Sequence, residues 1–241
     1  SGTMTSGLDG RVALVTGGGG AIGTAIVVAL AHAGVAVAVA DIDGDAADRT
    51  VEHVHQRGGR AAAQVVDLSE LTALDGLVSE VEGQFGPIDI LVNNAGTTRF
   101  IDFPDLDAVR DEDWNRILAV NLKGPFQTTR AARAALAAGE GGVIVNVASI
   151  AGIVGAGSSI PYCASKAALI VMTKSLARTL GPAIRVNAVA PGFIEGEWLQ
   201  QGLGDEYEKV KQTKATTNIL GAVSTPDDIA GGILAMITAP K

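Results

Sequence analysis

Val12-Ala13-Leu14-Val15-Thr16-Gly17-Gly18-Gly19-Gly20-Ala21-Ile22-Gly23 is the stretch from which the fold is read. Four apolar residues in unbroken succession predict a strand buried on both faces, the pattern of a parallel sheet. Glycines follow at once, and Ile22–Ala33 then reads as helix. Such a junction offers an anion the unpaired N–H groups and the positive dipole end of a helix N-terminus. Glycines let the backbone come close to phosphate oxygens. Two registers fit, Gly18-x-Gly20-x-x-Gly23 and Gly17-x-x-x-Ala21-x-Gly23, and spacing leaves both open. A flexible turn would show the same glycines; the flanking strand and helix are what point to phosphate.

Outward from this junction the strand–helix alternation repeats. Strands are expected at Val12–Val15, Val35–Ala40, Ala61–Val66, Ile88–Val92, Val143–Val147 and Ile184–Val189. Helical stretches lie between them at Ile22–Ala33, Asp45–Arg57, Leu71–Phe85, Trp114–Ala138 and Ser159–Leu180. Repeated βα units with short connections predict an α/β fold, a doubly wound parallel (Rossmann) sheet. The 241 residues are read as a single domain, 1–241. Gly124-Pro125 marks a break inside the fourth helical stretch, because Pro suits a first helical turn. Residues 193–225 are less periodic and more polar, and are read as an irregular substrate-binding lid or else a solvated helical insertion.

Asp41 ends the second strand, near the expected ~20 residues beyond the glycine turn. A carboxylate there accepts hydrogen bonds from both hydroxyls of an adenosine ribose. It repels a 2′-phosphate, and no Lys or Arg stands in the turn to offset that repulsion. NAD is therefore favoured over NADP. The turn-rich run from Asp41 to Asp45 leaves an ordinary exposed strand-end Asp as the alternative.

Composition closes other routes. A formal charge of -8 argues against a nucleic-acid backbone as partner. Cys163 is the only cysteine, so no intrachain disulfide forms and a reducing, cytoplasmic setting is expected. That cysteine and the scattered His32, His53 and His55 supply no metal-ligand set, so no metal is expected. Ala25–Ala40 is almost wholly apolar, but His32, Gly34 and the closing Asp41 make it helix, turn and buried strand rather than a membrane span. Ser1-Gly2-Thr3 ahead of Met4 reads as a cloning remnant.

Further motifs stand in order along the chain. Asn93-Asn94-Ala95-Gly96 follows the fourth strand, then come Asn121, Ser149 at the end of the fifth strand, and Tyr162-Cys163-Ala164-Ser165-Lys166. Tyr162 and Lys166 are i and i+4 on a predicted helix, so they share one face. Removing a hydride from an alcohol also requires removing its hydroxyl proton. A free phenol, with pKa about 10, is a poor base near neutrality. A neighbouring ammonium and a positive nicotinamide are expected to lower that value.

With the glycine turn, this set resembles the short-chain dehydrogenase/reductase family, from Gly10 to about Ile237. The resemblance selects Gly17, Ala21 and Gly23 as the turn register, with Ala where the middle Gly is usual, and Gly20 and Ile22 beside them. It implies that Tyr162 is the general acid/base and that Ser149 holds the substrate oxygen. Lys166 would bind the nicotinamide ribose and depress the tyrosine pKa, and Asn121 would support a proton-relay water. Further cofactor contacts implied are Asp41 and Ile42 at the adenosine ribose and Asp67 and Leu68 at the adenine edge. Asn94, Ala95 and Gly96 would line the adenosine ribose side, and Pro191, Gly192 and Ile194 the carboxamide. Asn93 is as readily read as part of the sheet.

Three departures stand out. Gly196 occupies a place where the family often has a cofactor-contacting Thr. Ala148 precedes Ser149 where many members have Ser. The sequence stops at Lys241, ahead of the final strand that usually supports tetramer contacts, which puts a tetramer in doubt.

Phe100, Ile101, Phe103, Ile150, Ile153, Val154, Phe193, Trp198 and Leu199 are expected as an apolar pocket wall, and Arg99 as a candidate anchor for an anionic substrate. The expected activity is NAD-dependent interconversion of a secondary alcohol and a ketone. A 3-oxoacyl-carrier-protein reductase-like enzyme is the alternative, although such enzymes commonly use NADPH. A nucleotide-sensing protein on this scaffold would keep the turn and Asp41 but lose Tyr162 or Lys166; a methyltransferase would need neither. Apolar positions on the helices after Gly124 and around Tyr162 imply a homodimer or homotetramer.

Overall fold

The computed structural model describes residues 7–70, 72–139 and 141–240. Ser1-Gly2-Thr3, the expected helix start at Leu71 and the closing Lys241 lie outside them. In chain order the elements are β1 Val12–Thr16, α1 Ala21–His32, β2 Ala36–Asp41, α2 Gly44–His55, β3 Arg60–Val65 and α3 Ala73–Phe85. There follow β4 Ile90–Asn93, α4 Asp111–Leu118, α5 Gly124–Ala138, β5 Gly142–Val147, α6 Ala151–Val154 and α7 Ile160–Leu180. β6 Ile184–Val189, α8 Glu197–Leu203, α9 Tyr207–Thr217 and α10 Pro226–Thr238 complete the series.

All six strands pair in parallel in the order β3-β2-β1-β4-β5-β6. The near-continuous apolar runs are explained by two cores. Ala13, Val15, Val37, Val39, Val92 and Val145 face α1, α2 and α10. Leu14, Ala38, Leu91 and Ile144 face α3 and α5 on the other side. Successive strand residues point to opposite faces, so covering both makes the central strands apolar on nearly every residue, with Asn93 and Asn146 as hydrogen-bonded exceptions.

Local chemistry adjusts the expected boundaries. β4 begins at Ile90 rather than Ile88 because the Asp89 carboxylate takes the Val12 N–H at 2.9 Å, where a ladder bond would otherwise form. The fourth helical stretch divides ahead of Gly124-Pro125. α4 ends at Leu118, a π-turn spans Ala119–Lys123, and α5 carries its Pro in the first turn. Ser159 caps α7 by accepting from the Tyr162 N–H at 3.3 Å. Within residues 193–225, read as an irregular lid or a helical insertion, α8 and α9 occupy most of 197–217, and the stretches on either side are irregular.

The reversal of strand order lies between β2 and β4, on either side of β1, and opens a crevice at the carboxyl ends of the strands. α1 starts there and packs tightly on the turn. A Cβ built on Gly23 would stand 2.0 Å from the Gly17 carbonyl oxygen, so only glycine fits. Gly23→Ala is expected to force the turn from the helix at a cost of about 1–3 kcal/mol. For a chain of this size that lowers Tm by about 2–12 °C. Calorimetry should also show dinucleotide binding lost; an unchanged Tm would contradict the packing described.

Candidate active site

The crevice is a cleft of about 1280 Å³. Gly17, Gly20, Ala21, Ile22 and Gly23 form its floor at the α1 N-terminus, with Asp41, Ile42, Asp67 and Leu68 at one end. Asn94, Ala95 and Gly96 lie in the middle, and Ser149, Tyr162, Lys166, Pro191, Gly192 and Ile194 at the other end. Residues far apart in the chain thus line one wall-to-wall groove. Asn121 alone of the expected set does not line it.

The floor fits a pyrophosphate. α1 has no side-chain cap, which leaves its first-turn N–H groups for an anion. Ala21 sits at the first helical position, and among the described residues none other than glycine has positive φ. The Ala in place of Gly therefore needs no unusual backbone. Asn94 Nδ2 donates to the Gly17 carbonyl at 3.0 Å, and the Asn94 and Ala95 N–H groups donate to Thr16 Oγ1 at 3.1 and 3.2 Å. Asn93 turns the other way, fully buried, and donates from Nδ2 to Asn146 Oδ1 at 2.9 Å. Asp41 is part of the turn itself. Its Oδ2 accepts from the Gly19 N–H at 2.9 Å and its Oδ1 from the Asp43 N–H at 3.0 Å. A carboxylate has about four lone-pair sites, so acceptor capacity for ribose hydroxyls remains.

At the far end Tyr162 and Lys166 share a face of α7. Lys166 is buried, and its Nζ donates to the Val147 carbonyl of β5 at 2.8 Å. It lies 5.7 Å from the Tyr162 ring centroid. Two turns further on, Thr173 Oγ1 accepts from Asn146 Nδ2 at 2.9 Å. These two ties hold α7 against β5 and so set where the phenol stands.

Burial lowers the Lys166 pKa from 10.5 to about 8. Burial also pushes the Tyr162 phenol above its usual value, against a hydrogen bond with the Ser149 side chain that pulls it down. The expectation of a lowered tyrosine is thus not met by the chain alone. Desolvation disfavours the phenolate, and the further cation that would favour it belongs to the oxidised nicotinamide.

Asn121 is fully buried under this end. Its Oδ1 accepts from the Thr97 N–H at 2.8 Å, while Nδ2 donates to the Thr97 carbonyl and to Ser165 Oγ, both at 3.0 Å. Both amide hydrogens are committed, so the side chain has none left for a relay water. Ser165 in turn donates to the Tyr162 carbonyl at 2.7 Å, which links Asn121 to α7.

The substrate wall is largely as expected, with two corrections. Phe100, Ile101, Phe103, Ile150, Phe193, Trp198 and Leu199 line the cleft. Ile153 and Val154 do not; the short α6 turns them outwards, and both are more than half exposed. Arg99 lines the cleft but is not a free anion anchor. It is paired with Asp113 at 2.5 Å and donates to the Ala108 carbonyl at 3.1 Å. Trp198 of α8 packs on Phe100 and Tyr162, with ring centroids 5.7 and 6.2 Å apart.

Gly196 has a structural reason. Its φ is +149°, a conformation few side-chain-bearing residues adopt, and its N–H donates to the Tyr207 hydroxyl at 3.2 Å. Arg116 of α4, ion-paired to Asp67, also lines the cleft and was not anticipated; helix periodicity alone carries no signal of a contact 49 residues away.

Comparison with known proteins agrees with this geometry. Residues 11–206 match the family model described as short chain dehydrogenase. The (3R)-3-hydroxyacyl-CoA dehydrogenase of Mus musculus is 42% identical over 233 residues, 92% of this chain and 87% of that protein. The 3-oxoacyl-[acyl-carrier-protein] reductase FabG of Thermotoga maritima is 37% identical over 228 residues, 94% of this chain and 90% of that one. Among solved structures, an NAD+-bound xylitol dehydrogenase superposes with a TM-score of 0.89 at 30% identity, covering 97% of this chain and 94% of the other. The chain belongs to the short-chain dehydrogenase/reductase family. It is an NAD(P)-dependent oxidoreductase acting on hydroxyl and keto groups. Among the described residues no helix is long and apolar enough to cross a membrane, and no His/Cys/Asp/Glu group that would hold a metal occurs.

The buried Lys166 gives a pH signature. Its folded pKa lies below the unfolded value, so between about 8 and 10.5 the unfolded chain binds more protons and the folded state gains stability as pH rises. In the apo protein, the Tm difference between Lys166→Met and wild type should move in favour of wild type from pH 7.5 to 9.5. A difference that stays flat over that range would show the ammonium to be solvated.

Proposed function

We propose that the chain interconverts a secondary alcohol and a ketone, using NAD in preference to NADP. The observation that carries this reading is the convergence of Ser149, Tyr162 and Lys166 at one end of a groove whose other end holds the glycine turn and Asp41. When bound, the nicotinamide supplies the hydride acceptor in oxidation and the donor in reduction. Ser149 holds the substrate oxygen by a hydrogen bond. Tyr162 takes the hydroxyl proton in oxidation and returns one to the carbonyl oxygen in reduction. Lys166 binds the ribose and favours the phenolate. Asn121 acts by position, fixing the Thr97 segment and Ser165 behind the phenol.

The cofactor preference rests on Asp41, whose charge repels a 2′-phosphate in a turn without Lys or Arg. The remaining contacts follow the lining of the groove. Asp67 and Leu68 meet adenine, Asn94, Ala95 and Gly96 line the adenosine ribose side, and Pro191, Gly192 and Ile194 meet the carboxamide. Residues 193–225 act as the lid. Three ties hold α9 to the segment after β6: the Lys211–Glu195 ion pair at 2.6 Å, the Phe193–Tyr207 contact at 5.9 Å and the bond from the Gly196 N–H to the Tyr207 hydroxyl at 3.2 Å.

The substrate is neutral and largely apolar near the reacting carbon, because Arg99 is neutralised and the wall is aromatic and aliphatic. A 3-oxoacyl or 3-hydroxyacyl thioester is the second reading. It is supported by the names of the mouse and Thermotoga relatives. Phe126 on α5 and Val171 on α7 are exposed and support self-association through those helices as a homodimer or larger homo-oligomer; light scattering that gives a monomer mass would refute it.

Tyr162→Phe should lower kcat by about 100-fold or more. NADH affinity, measured by calorimetry, should stay near wild type. Turnover surviving within a few-fold removes the acid/base role. kcat/KM should be higher with NADH than with NADPH, and the reverse order overturns the reading of Asp41. NADH binding without turnover across a panel of alcohols and ketones would favour a nucleotide-sensing protein.

A further inference from the structure

At the adenosine end of the cleft Asp67, read above as an adenine contact, is held by two residues, Ser69 and Arg116, to which the proposed chemistry gives no role. Asp67 follows β3, and its Oδ1 accepts from the Ser69 N–H at 2.8 Å and the Ser69 hydroxyl at 2.7 Å. Arg116 reaches over from α4 and places Nη1 3.2 Å from Oδ2, 3.4 Å from Oδ1 and 3.1 Å from Ser69 Oγ. Asp67, Leu68 and Arg116 all line the cleft, as does Asp41.

Count the acceptor sites. An ionised carboxylate accepts about four hydrogen bonds and donates none. Three donors converge on Oδ1, whereas Oδ2 receives only Arg116. The plane of the carboxylate is fixed from two sides, by a turn amide and by a guanidinium. One oxygen remains with capacity for a further donor. Burial pushes the Asp67 carboxyl up, but the Ser69 bonds and the Arg116 guanidinium together hold it below its usual range, so it is an anion at neutral pH. Arg116 itself springs from a braced helix, because Asp113 on α4 also takes the Arg99 guanidinium and the Arg110 N–H.

We infer that Arg116 is a positioning residue for base recognition. With Ser69 it aims the Asp67 carboxylate so that Oδ2 accepts from the 6-amino group of adenine, and it thereby selects adenine over a purine carrying a carbonyl at that place. The inference rests on the reading of the cleft as a dinucleotide site. A 6-carbonyl would set acceptor against acceptor, and a buried polar group left unpaired is penalised more than a made bond is rewarded.

The test uses the full chain without substrate, titrated by calorimetry with NADH and with its hypoxanthine counterpart, in which a carbonyl replaces the 6-amino group. Wild type should prefer NADH by about tenfold or more, as for a hydrogen bond to a charged acceptor. Arg116→Ala should lose most of that preference by weakening NADH alone, with hypoxanthine dinucleotide affinity within about twofold of wild type. Arg116→Gln, which keeps a neutral donor at the same place, should retain part of it. Because Arg116 is half exposed, neither change opens the core. Equal weakening of both dinucleotides would make Arg116 a general electrostatic or structural contact and overturn the inference. So would a wild type without preference, or variants that keep it in full. A wild type that binds neither dinucleotide would overturn the cofactor reading as well, which separates the two failures.

Discussion

The site depends on a cation almost wholly withdrawn from water at the wall of the cleft. An ammonium without solvent costs several kcal/mol unless it is bonded, and Lys166 meets that demand with the Val147 carbonyl at the end of β5. The bond fixes α7 against the sheet at the level of the strand ends. Thr173, on the same face of α7, repeats the attachment through Asn146 on β5. Asn93 on β4 completes a polar line across two strands and a helix within an otherwise apolar interior. Buried hydrogen bonds of this kind specify one register of packing, since a slip would break several of them at once. The phenol of Tyr162 inherits its place from that register.

The other end of the groove is organised by Asp41 in two capacities. Its carboxylate closes the glycine turn by accepting from Gly19, and the same group faces the cleft. In the proposed reading, recognition and architecture share one side chain. Exchanging Asp41 removes a strut of the turn, so any redesign of this position carries a structural cost whatever it does to the ribose.

The architecture was legible in the sequence because both faces of the sheet are covered. Strands such as Val12–Thr16 and Gly142–Val147 have no polar alternation to obscure them. The two chemical ends of the groove were legible because local spacing carries them: the glycine turn and Asp41, Tyr162 and Lys166. What escaped was decided by contacts between distant segments. Arg99 looks like a loop cation until Asp113 is seen to neutralise it. Asn121 carries no sequence signal of the bonds that tie its amide to Thr97 and Ser165. Ile153 and Val154 are apolar and near Ser149 in sequence, yet one short helical turn rotates them out of the cleft. Gly196 reads as a lost contact, whereas its backbone angle and the Tyr207 hydroxyl account for it. The polar composition of 193–225 concealed two helices, because helices that cover a groove from the solvent side have little apolar face to show.

The placement of Trp198 has a practical side. The chain has only two indoles. Trp198 stands in the cleft wall against Phe100 and Tyr162, while Trp114 on α4 is not part of that wall. Ultraviolet emission from the unmodified chain is therefore divided between a sensor, whose polarity changes when the groove fills, and an internal reference that keeps its surroundings.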